Sequence, residues 1–395
     1  PSCVGSSSGG TRRIGARWHE IGSLTTTPSI FQSGTLCTTV TGSNSLNSQR
    51  GFLYPSVTET GQGHMALTGS FASANEFVGI AAAGRLRTDP AAGTRAPETI
   101  VLDGLASYTI TDPGGRNRWG DYSLTRVDPN DDQTVWTFQE YADTPANRWA
   151  VRVAQLLAPP PPALATATPV CTGLASTTTT ITGTDSCAAP TCTNGLCAGG
   201  GACPEFFDPG ADTGGPGFAS HLTASVTGGV TVNPFPATSI VIPGSPASSR
   251  VLQATLSLNT TGATAGTKNV TITNPDGQST TGIALLTVNP TPATPSASNN
   301  TPICAGSTPQ HIAPTVPGAT YSWTGPNGFT SSLQNPTIAA ATAAATGTYS
   351  VSVTVNSCAS SPGTTSVTVI ATGGSCTDNS LCTTGDTCQA GGACT

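Results

Sequence analysis

The chain is predicted to be all-β and multi-module, and three observations lead there. Runs of four to nine residues alternate apolar with Thr or Ser and end in Gly, Pro, Asn or Asp turns. Helix-forming runs are almost absent, and Lys268 is the single lysine. Thirteen cysteines are present, ten of them in spaced groups: Cys187, Cys192, Cys197 and Cys203; Cys376, Cys382, Cys388 and Cys394; and the separate pair Cys304 and Cys358. Disulfides persist where glutathione and thioredoxin do not reduce them, so the expected location is extracellular or at a cell surface. Thirteen is odd; one thiol is therefore free, pairs with another chain, or has lost its partner to truncation.

A length of 395 residues allows two to four domains. Only 9% of residues are charged and the formal net charge is -6, which leaves no basic patch for nucleic acid or anionic lipid. No apolar run approaches the roughly 20 residues of a membrane span. Residue 1 is Pro and no signal peptide is visible, which reads as a processed chain or a fragment. Sequons at Asn259, Asn269 and Asn299 carry little weight in so Thr-rich a chain.

Residues 1–156 hold most of the aromatic and arginine residues. Strands are expected at 17–21, 29–31, 52–57 and 64–68, with Gly61-Gln62-Gly63 as a turn. The clearest unit runs from Arg118 to Val127, through the acidic turn Asp128-Pro129-Asn130-Asp131-Asp132, to strands at 134–141 and 149–153. Within it, Val135, Thr137 and Gln139 alternate with Thr134, Trp136 and Phe138, the period of a half-buried strand. Residues 157–215 begin with the stiff linker Leu157-Ala158-Pro159-Pro160-Pro161-Pro162, then run Thr-, Gly- and Cys-rich with little to bury. Residues 216–290 carry five strand-like runs, at 222–226, 239–242, 251–258, 269–273 and 283–288. Residues 291–371 place Tyr321-Ser322-Trp323 on a central strand and Thr364–Ile370 on a closing strand. Residues 372–395 hold four cysteines and almost no apolar residues, and three connectivities are open.

Several phrases resemble known families of secreted bacterial proteins. "FLYPSVTETGQGHMALTGS" and "NRWGDYSLTRVDPNDDQTVWTFQEYAD" with "NRWAVRV" resemble blades of sialidase-like, Asp-box β-propellers, although of the box itself only Thr134 is in place. Blades of 40–45 residues make about three in this segment, fewer than the four that close a ring, so either an upstream part is missing, which is the favoured expectation, or a partner supplies the closure. "AGTKNVTITNPDGQSTTGIALLTV" resembles the end of an IPT/TIG-type immunoglobulin-like module. "GATYSWTGPNGFTSSLQNPTI" with "ATGTYSVSVTVNSC" resembles PKD-like modules, and Thr346–Val351 resembles a tyrosine corner. That last resemblance implies a bridge between Cys304 and Cys358. The fold expectation is thus propeller-like blades over 1–156, a spacer over 157–215, immunoglobulin-like sandwiches over 216–290 and 291–371, and a Cys-rich repeat over 372–395.

Zinc is disfavoured by the lack of Cys-x-x-Cys pairs and by four scattered histidines. Calcium is the cofactor candidate: Asp128, Asn130, Asp131 and Asp132 crowd one turn, and Asp378, Asn379 and Asp386 another. Acidic residues also build turns by themselves, and neither loop follows the twelve-residue calcium spacing. The sialidase resemblance implies an arginine cluster with a tyrosine and a glutamate, for which Arg116, Arg118, Asp121, Tyr122, Glu140 and Tyr141 supply the types. Gly5-Ser6-Ser7-Ser8-Gly9 formally matches a nucleophile elbow without the strand and helix that give it meaning. The expected function is structural or adhesive, without catalysis and with no resident cofactor beyond calcium. Expected partners are copies of the chain, a neighbouring surface protein or glycans. A secreted propeller glycosidase, or its carbohydrate-binding part, is the alternative.

Overall fold

A computed structural model describes residues 2–3, 13–37, 50–87, 89, 98–184, 192–193, 196–197, 204–210, 218–234, 239–241, 251–377 and 385–395. The chain is all-β, with two short 3-10 turns as the helical elements among these residues.

The first module stacks three antiparallel sheets in chain order. A hairpin of β1 (Ala16–Gly22) and β2 (Ser29–Leu36) forms the first layer. The second is the meander β3 (Gly51–Glu59), β4 (Met65–Ala72), β5 (Gly79–Arg85) and β6 (Thr99–Leu102). The third is β7 (Ser123–Val127), β8 (Val135–Asp143) and β9 (Arg148–Leu156), with β8 in the middle. Strand β4 is buried on both faces because its side chains alternate between two partners. Leu67 and Phe71 face the hairpin and pack with Trp18, Leu36, Phe52 and Ala81. Thr68 and Ser70 face the third layer instead. There the Thr68 hydroxyl meets Thr137 Oγ1 at 2.7 Å, Gln139 Nε2 donates to it at 2.8 Å, and Ser70 Oγ donates to the Glu140 carbonyl at 2.8 Å.

The module therefore has one apolar seam and one polar seam. The alternation in β8 resolves in a direction hydrophobicity does not suggest: Thr137 and Gln139 are buried while Phe138 is 39% exposed. The hydroxyl and amide groups satisfy one another across the seam, which removes the penalty of burying them. The segment is thus a layered stack of three antiparallel sheets, and the propeller blades expected from the sequence are not shown by it.

The second module is a β-sandwich. One sheet contains β10 (Leu164–Ala167), β12 (Thr177–Gly183), β14 (Thr231–Val232), β15 (Ser239–Val241) and β16 (Gln253–Asn259). The other contains β11 (Val170–Cys171), β13 (Thr223–Val226), β17 (Gly266–Thr273) and β18 (Ser279–Asn289). Ile181, Phe206, Leu222, Leu256, Leu258, Ile272 and Leu286 fill the space between them. This corrects the expected spacer. Strands β10, β11 and β12 and the side chain of Phe206 fall within 157–215, yet they belong to this sandwich. The Thr177–Gly183 run carries few apolar residues, but pairing with β16 orders it and seats Ile181 in the core.

The third module is a second sandwich, formed by β19 (Ser298–Asn299), β20 (Ile303–Cys304), β21 (His311–Ile312), β22 (Thr320–Thr324), β23 (Thr330–Ser331), β24 (Gly347–Val355), β25 (Cys358–Ala359), β26 (Gly363–Val367) and β27 (Val369–Ile370). Trp323 and Tyr349 are fully buried at its centre. The Tyr349 hydroxyl donates to the Ala345 carbonyl at 3.0 Å, which is the geometry of a tyrosine corner. Tyr349→Phe removes that bond and leaves a buried carbonyl without this donor; a loss of about 1 kcal/mol in the unfolding free energy of this module, read by denaturant titration, is expected. The two sandwiches share one device: β11 runs parallel to β18, and β20 runs parallel to β27, each an early strand crossing to the closing strand.

Candidate functional site

The side chains that the fold concentrates lie at the joints between modules. At the first joint Glu205 is 2% exposed. Its carboxylate accepts from Arg87 Nη2 at 2.6 Å, Gln62 Nε2 at 3.3 Å and the Val251 amide at 3.4 Å. His64 Nδ1 accepts the Arg87 amide at 3.1 Å, so in the neutral ring Nε2 carries the proton, and it faces Glu205 Oε1 at 3.1 Å. The first module thus supplies three polar side chains to one carboxylate at the edge of the sandwich. Glu205→Gln keeps the shape but removes the charge. Partial exposure of Arg87 screens the pair, so a loss on the order of 1 kcal/mol is expected, read as earlier melting of this joint.

The acidic turn expected to hold calcium works at the same joint. Asp128 Oδ1 accepts from the Asn130 amide and side chain at 2.9 Å, and Oδ2 from Trp136 Nε1 at 3.0 Å. The Asn130 amide and then the Trp136 indole hold its carboxyl below the usual range. Asp131 accepts the Gln133 and Thr134 amides and the Thr134 hydroxyl. The Asn130 carbonyl accepts the Ser220 amide at 2.9 Å, and Gln133 Oε1 accepts the Asp276 amide at 3.3 Å. These carboxylates build the turn, and the turn docks on the sandwich. Asp132 is pushed above the ordinary range by burial. Asp386 lies in the C-terminal segment with its backbone carbonyl bound to the Cys376 amide; Asp378 and Asn379 lie outside the described residues.

At the second joint Cys171, ending β11, is bonded to Cys358, opening β25. Asn356 and Ser357 both take positive φ, 48° and 66°, in the two-residue hairpin that presents Cys358. Around the bridge Thr291 N donates to Thr172 Oγ1 at 3.0 Å, Thr291 Oγ1 to the Thr172 carbonyl at 2.6 Å, and Asn289 Nδ2 to the Asn356 carbonyl at 3.2 Å. At the third, Cys304 is bonded to Cys388, stapling the C-terminal segment to the second sandwich, and Cys376 is bonded to Cys394 within that segment. Gly392 packs there so closely that an added Cβ would lie 2.4 Å from Ser307 Oγ, and Ser307 Oγ donates to its carbonyl at 2.8 Å.

The implied Cys304–Cys358 bridge is therefore corrected. Both cysteines are oxidised, but each reaches outside its own sandwich: Cys358 to the preceding one, Cys304 to the segment after it. Cys171 was in no expected group. Cys192 and Cys197 face each other in a short strand pair, while Cys187, Cys203 and Cys382 lie outside the described residues. Cys37 is disulfide-bonded too.

The sialidase-type candidates converge only in part. Arg118 pairs with Asp121 at 3.1 Å in solvent, and Arg116 pairs with Asp112 at 2.8 Å with its side chain 85% exposed. Glu140 is buried; burial first, then the Asp121 charge, push its carboxyl up against the Gly120 amide. Tyr122 is 73% exposed. A separate cleft of about 190 Å³ is lined by Trp18, Glu20, Glu59, Met65 and Arg85 among others. Burial and then the Glu20 charge raise the Glu59 carboxyl. No motif marks these two glutamates, which meet only because β1 and β3 pack together. The cleft falls below the roughly 300–1,000 Å³ of small-molecule sites.

One apolar surface stands open. Leu124, Phe138 and Val153 form a row across β7, β8 and β9, with Val151 and Trp149 continuing it along β9, an edge strand among the described residues.

No family model matches the chain, and no curated protein matches it. Among solved structures it is similar to the three N-terminal domains of the highly immunogenic outer capsid protein of bacteriophage RB49, at 17% identity and a TM-score of 0.22, over 53% of this chain and 59% of that one. It is similar to titin domains A168-A170 at 9% identity and a TM-score of 0.25, over 80% and 97%. It is similar to the four N-terminal immunoglobulin domains of Dscam1 isoform 6.44 at 12% identity and a TM-score of 0.18, over 81% and 99%. The chain thus spans less than two thirds of the phage structure it matches.

Proposed function

We propose that the chain is an extracellular structural or adhesive protein, a stalk or subunit of a bacterial surface fibre or sheath, that performs no chemistry. The observation that carries this reading is the Cys171–Cys358 bridge, which ties one sandwich covalently to the next across a sequence separation of 187 residues. Catalysis does not need two sandwiches bolted together; resistance to extension and proteolysis does. The Glu205 cluster and the C-terminal staples extend the same principle to the other joints. Extracellular location follows from sulfur bridges that a reducing compartment would open. No helix among the described residues is long and apolar enough to cross a membrane. The exposed row on β7, β8 and β9 and its open edge suit contact with another copy or a neighbouring surface protein. Electron microscopy and light scattering of purified chain under oxidising and reducing conditions test the assembly; strictly monomeric particles in both would count against it.

A second reading, a sialidase-like propeller glycosidase or glycan binder, is favoured by one observation, the neighbouring Arg118, Asp121 and raised Glu140. Turnover of a fluorogenic sialoside that disappears in Arg118→Ala would establish it. Binding on a glycan array without turnover would make the module a lectin.

A further inference from the structure

Two disulfides close the C-terminal segment, and they are neighbours. The Sγ atoms of Cys304, Cys376 and Cys394 all lie within 4.8 Å of one another, and Cys388 Sγ is bonded to that of Cys304. Four sulfurs therefore occupy one small volume, with Cys304 and Cys388 nearly inaccessible at 4% and 1% exposure. Two independent bridges require contact within each pair, not between pairs. A tetrahedral zinc ion with Zn–S bonds of about 2.3 Å needs sulfurs about 3.8 Å apart, a separation that small side-chain rotations supply once the S–S bonds open.

Hydrogen bonds place the sulfurs alongside those bonds. Gly373 N donates to the Cys388 carbonyl at 2.8 Å and Cys388 N to the Gly374 carbonyl at 3.0 Å. Cys376 N donates to the Asp386 carbonyl at 3.1 Å, and Gln389 N to the Ala393 carbonyl at 2.8 Å. Ser307 Oγ holds the Gly392 carbonyl from the sandwich side. Cys304 itself ends a strand paired with β27. The four sulfurs come from one distant strand and one short segment, which is why no paired spacing announces them.

We propose that Cys304, Cys376, Cys388 and Cys394 form a two-state closure: two disulfides when oxidised, and a tetrathiolate site for a thiophilic divalent cation, zinc being the natural occupant, when reduced. Two equivalents of a dithiol reductant deliver the four electrons and four protons that convert both disulfides to thiols, each dithiol ending as a cyclic disulfide. The four thiols then release four protons as the metal binds. The thiol state is one that every newly made chain passes through, and the metal then holds the C-terminal segment in its final place.

The test is a cobalt titration of full chain reduced with a dithiol and freed of it under inert gas. A thiolate-to-cobalt charge-transfer band is expected, saturating at one equivalent for this centre and displaced by zinc. It falls away in Cys304→Ser and in Cys376→Ser and is unchanged in Cys171→Ser and Cys192→Ser. Near-ultraviolet circular dichroism of buried Trp323 checks that the second sandwich remains folded in each variant; where Cys304→Ser unfolds, Cys394→Ser takes its place. Protection of the C-terminal segment from proteolysis on adding zinc to reduced chain is the second readout. A band that survives Cys304→Ser in folded chain, or reduced chain that gains neither band nor protection, overturns the proposal.

Discussion

Replacing Cys171 and Cys358 together by serine is expected to separate the melting of the two sandwiches and lower one of them by about 3 kcal/mol. Chain-entropy arguments give about 5 kcal/mol as the ceiling for a bridge closing a loop with a sequence separation of 187 residues. The realised loss is smaller because the bridge joins two cores that unfold separately, so one anchor stays ordered while the other is released. A fall in melting temperature on the order of 10 °C follows for a module of this size. The Thr172–Thr291 and Asn289–Asn356 hydrogen bonds remain, but they are exposed and hold the joint weakly without the sulfur link. Small-angle scattering is therefore expected to report a broader distribution of dimensions for the double variant. Unchanged melting and unchanged scattering would mean the joint is held by those contacts alone.

Acid is expected to weaken the second sandwich selectively, through His311. Its ring is fully buried among Trp323, Phe329 and Tyr349, stacked on Phe329 at 5.5 Å, and neither ring nitrogen has a hydrogen-bond partner among the described residues. Burial depresses its pKa, opposed by the Pro336 backbone. In the unfolded chain the ring titrates near 6.5. Below that value the unfolded state binds a proton that the folded state refuses, so stability is intact above pH 6.5 and falls as pH drops toward the folded value. The slope on that limb is at most about 1.4 kcal/mol per pH unit for one such group. His311→Phe keeps an aromatic ring in the box and is expected to flatten that limb. Denaturant titrations at pH 7 and pH 5 measure the difference; equal acid sensitivity in both proteins would remove His311 as the cause.

Much of the second sandwich is legible in the sequence because its signals are local. Trp323 on a short alternating strand and Tyr349 after a Gly-Thr step predict a core and a corner, and both are where they are expected. The strands at 253–259, 266–273 and 279–289 are legible for the same reason. The disulfide partners are not, because pairing is set by which ends of different modules meet. Cys304 and Cys358 are neighbours in the cysteine order and still bond elsewhere. The Thr-rich run 177–183 reads as a spacer because its strand pairing comes from β16, some seventy positions later. The acidic turn at 128–132 is legible as a turn, but its docking on Ser220 and Asp276 is not, because those partners lie far along the chain. Glu205 carries no motif at all; its role arises from three first-module side chains brought to it by folding.

Disulfide mapping of native, unreduced chain by proteolysis and mass spectrometry tests the central claim most directly. Covalently locked modules predict one linked peptide pair joining Cys171 to Cys358 and another joining Cys304 to Cys388. A linked pair joining Cys304 to Cys358, or these four sulfurs recovered as free thiols, would contradict it.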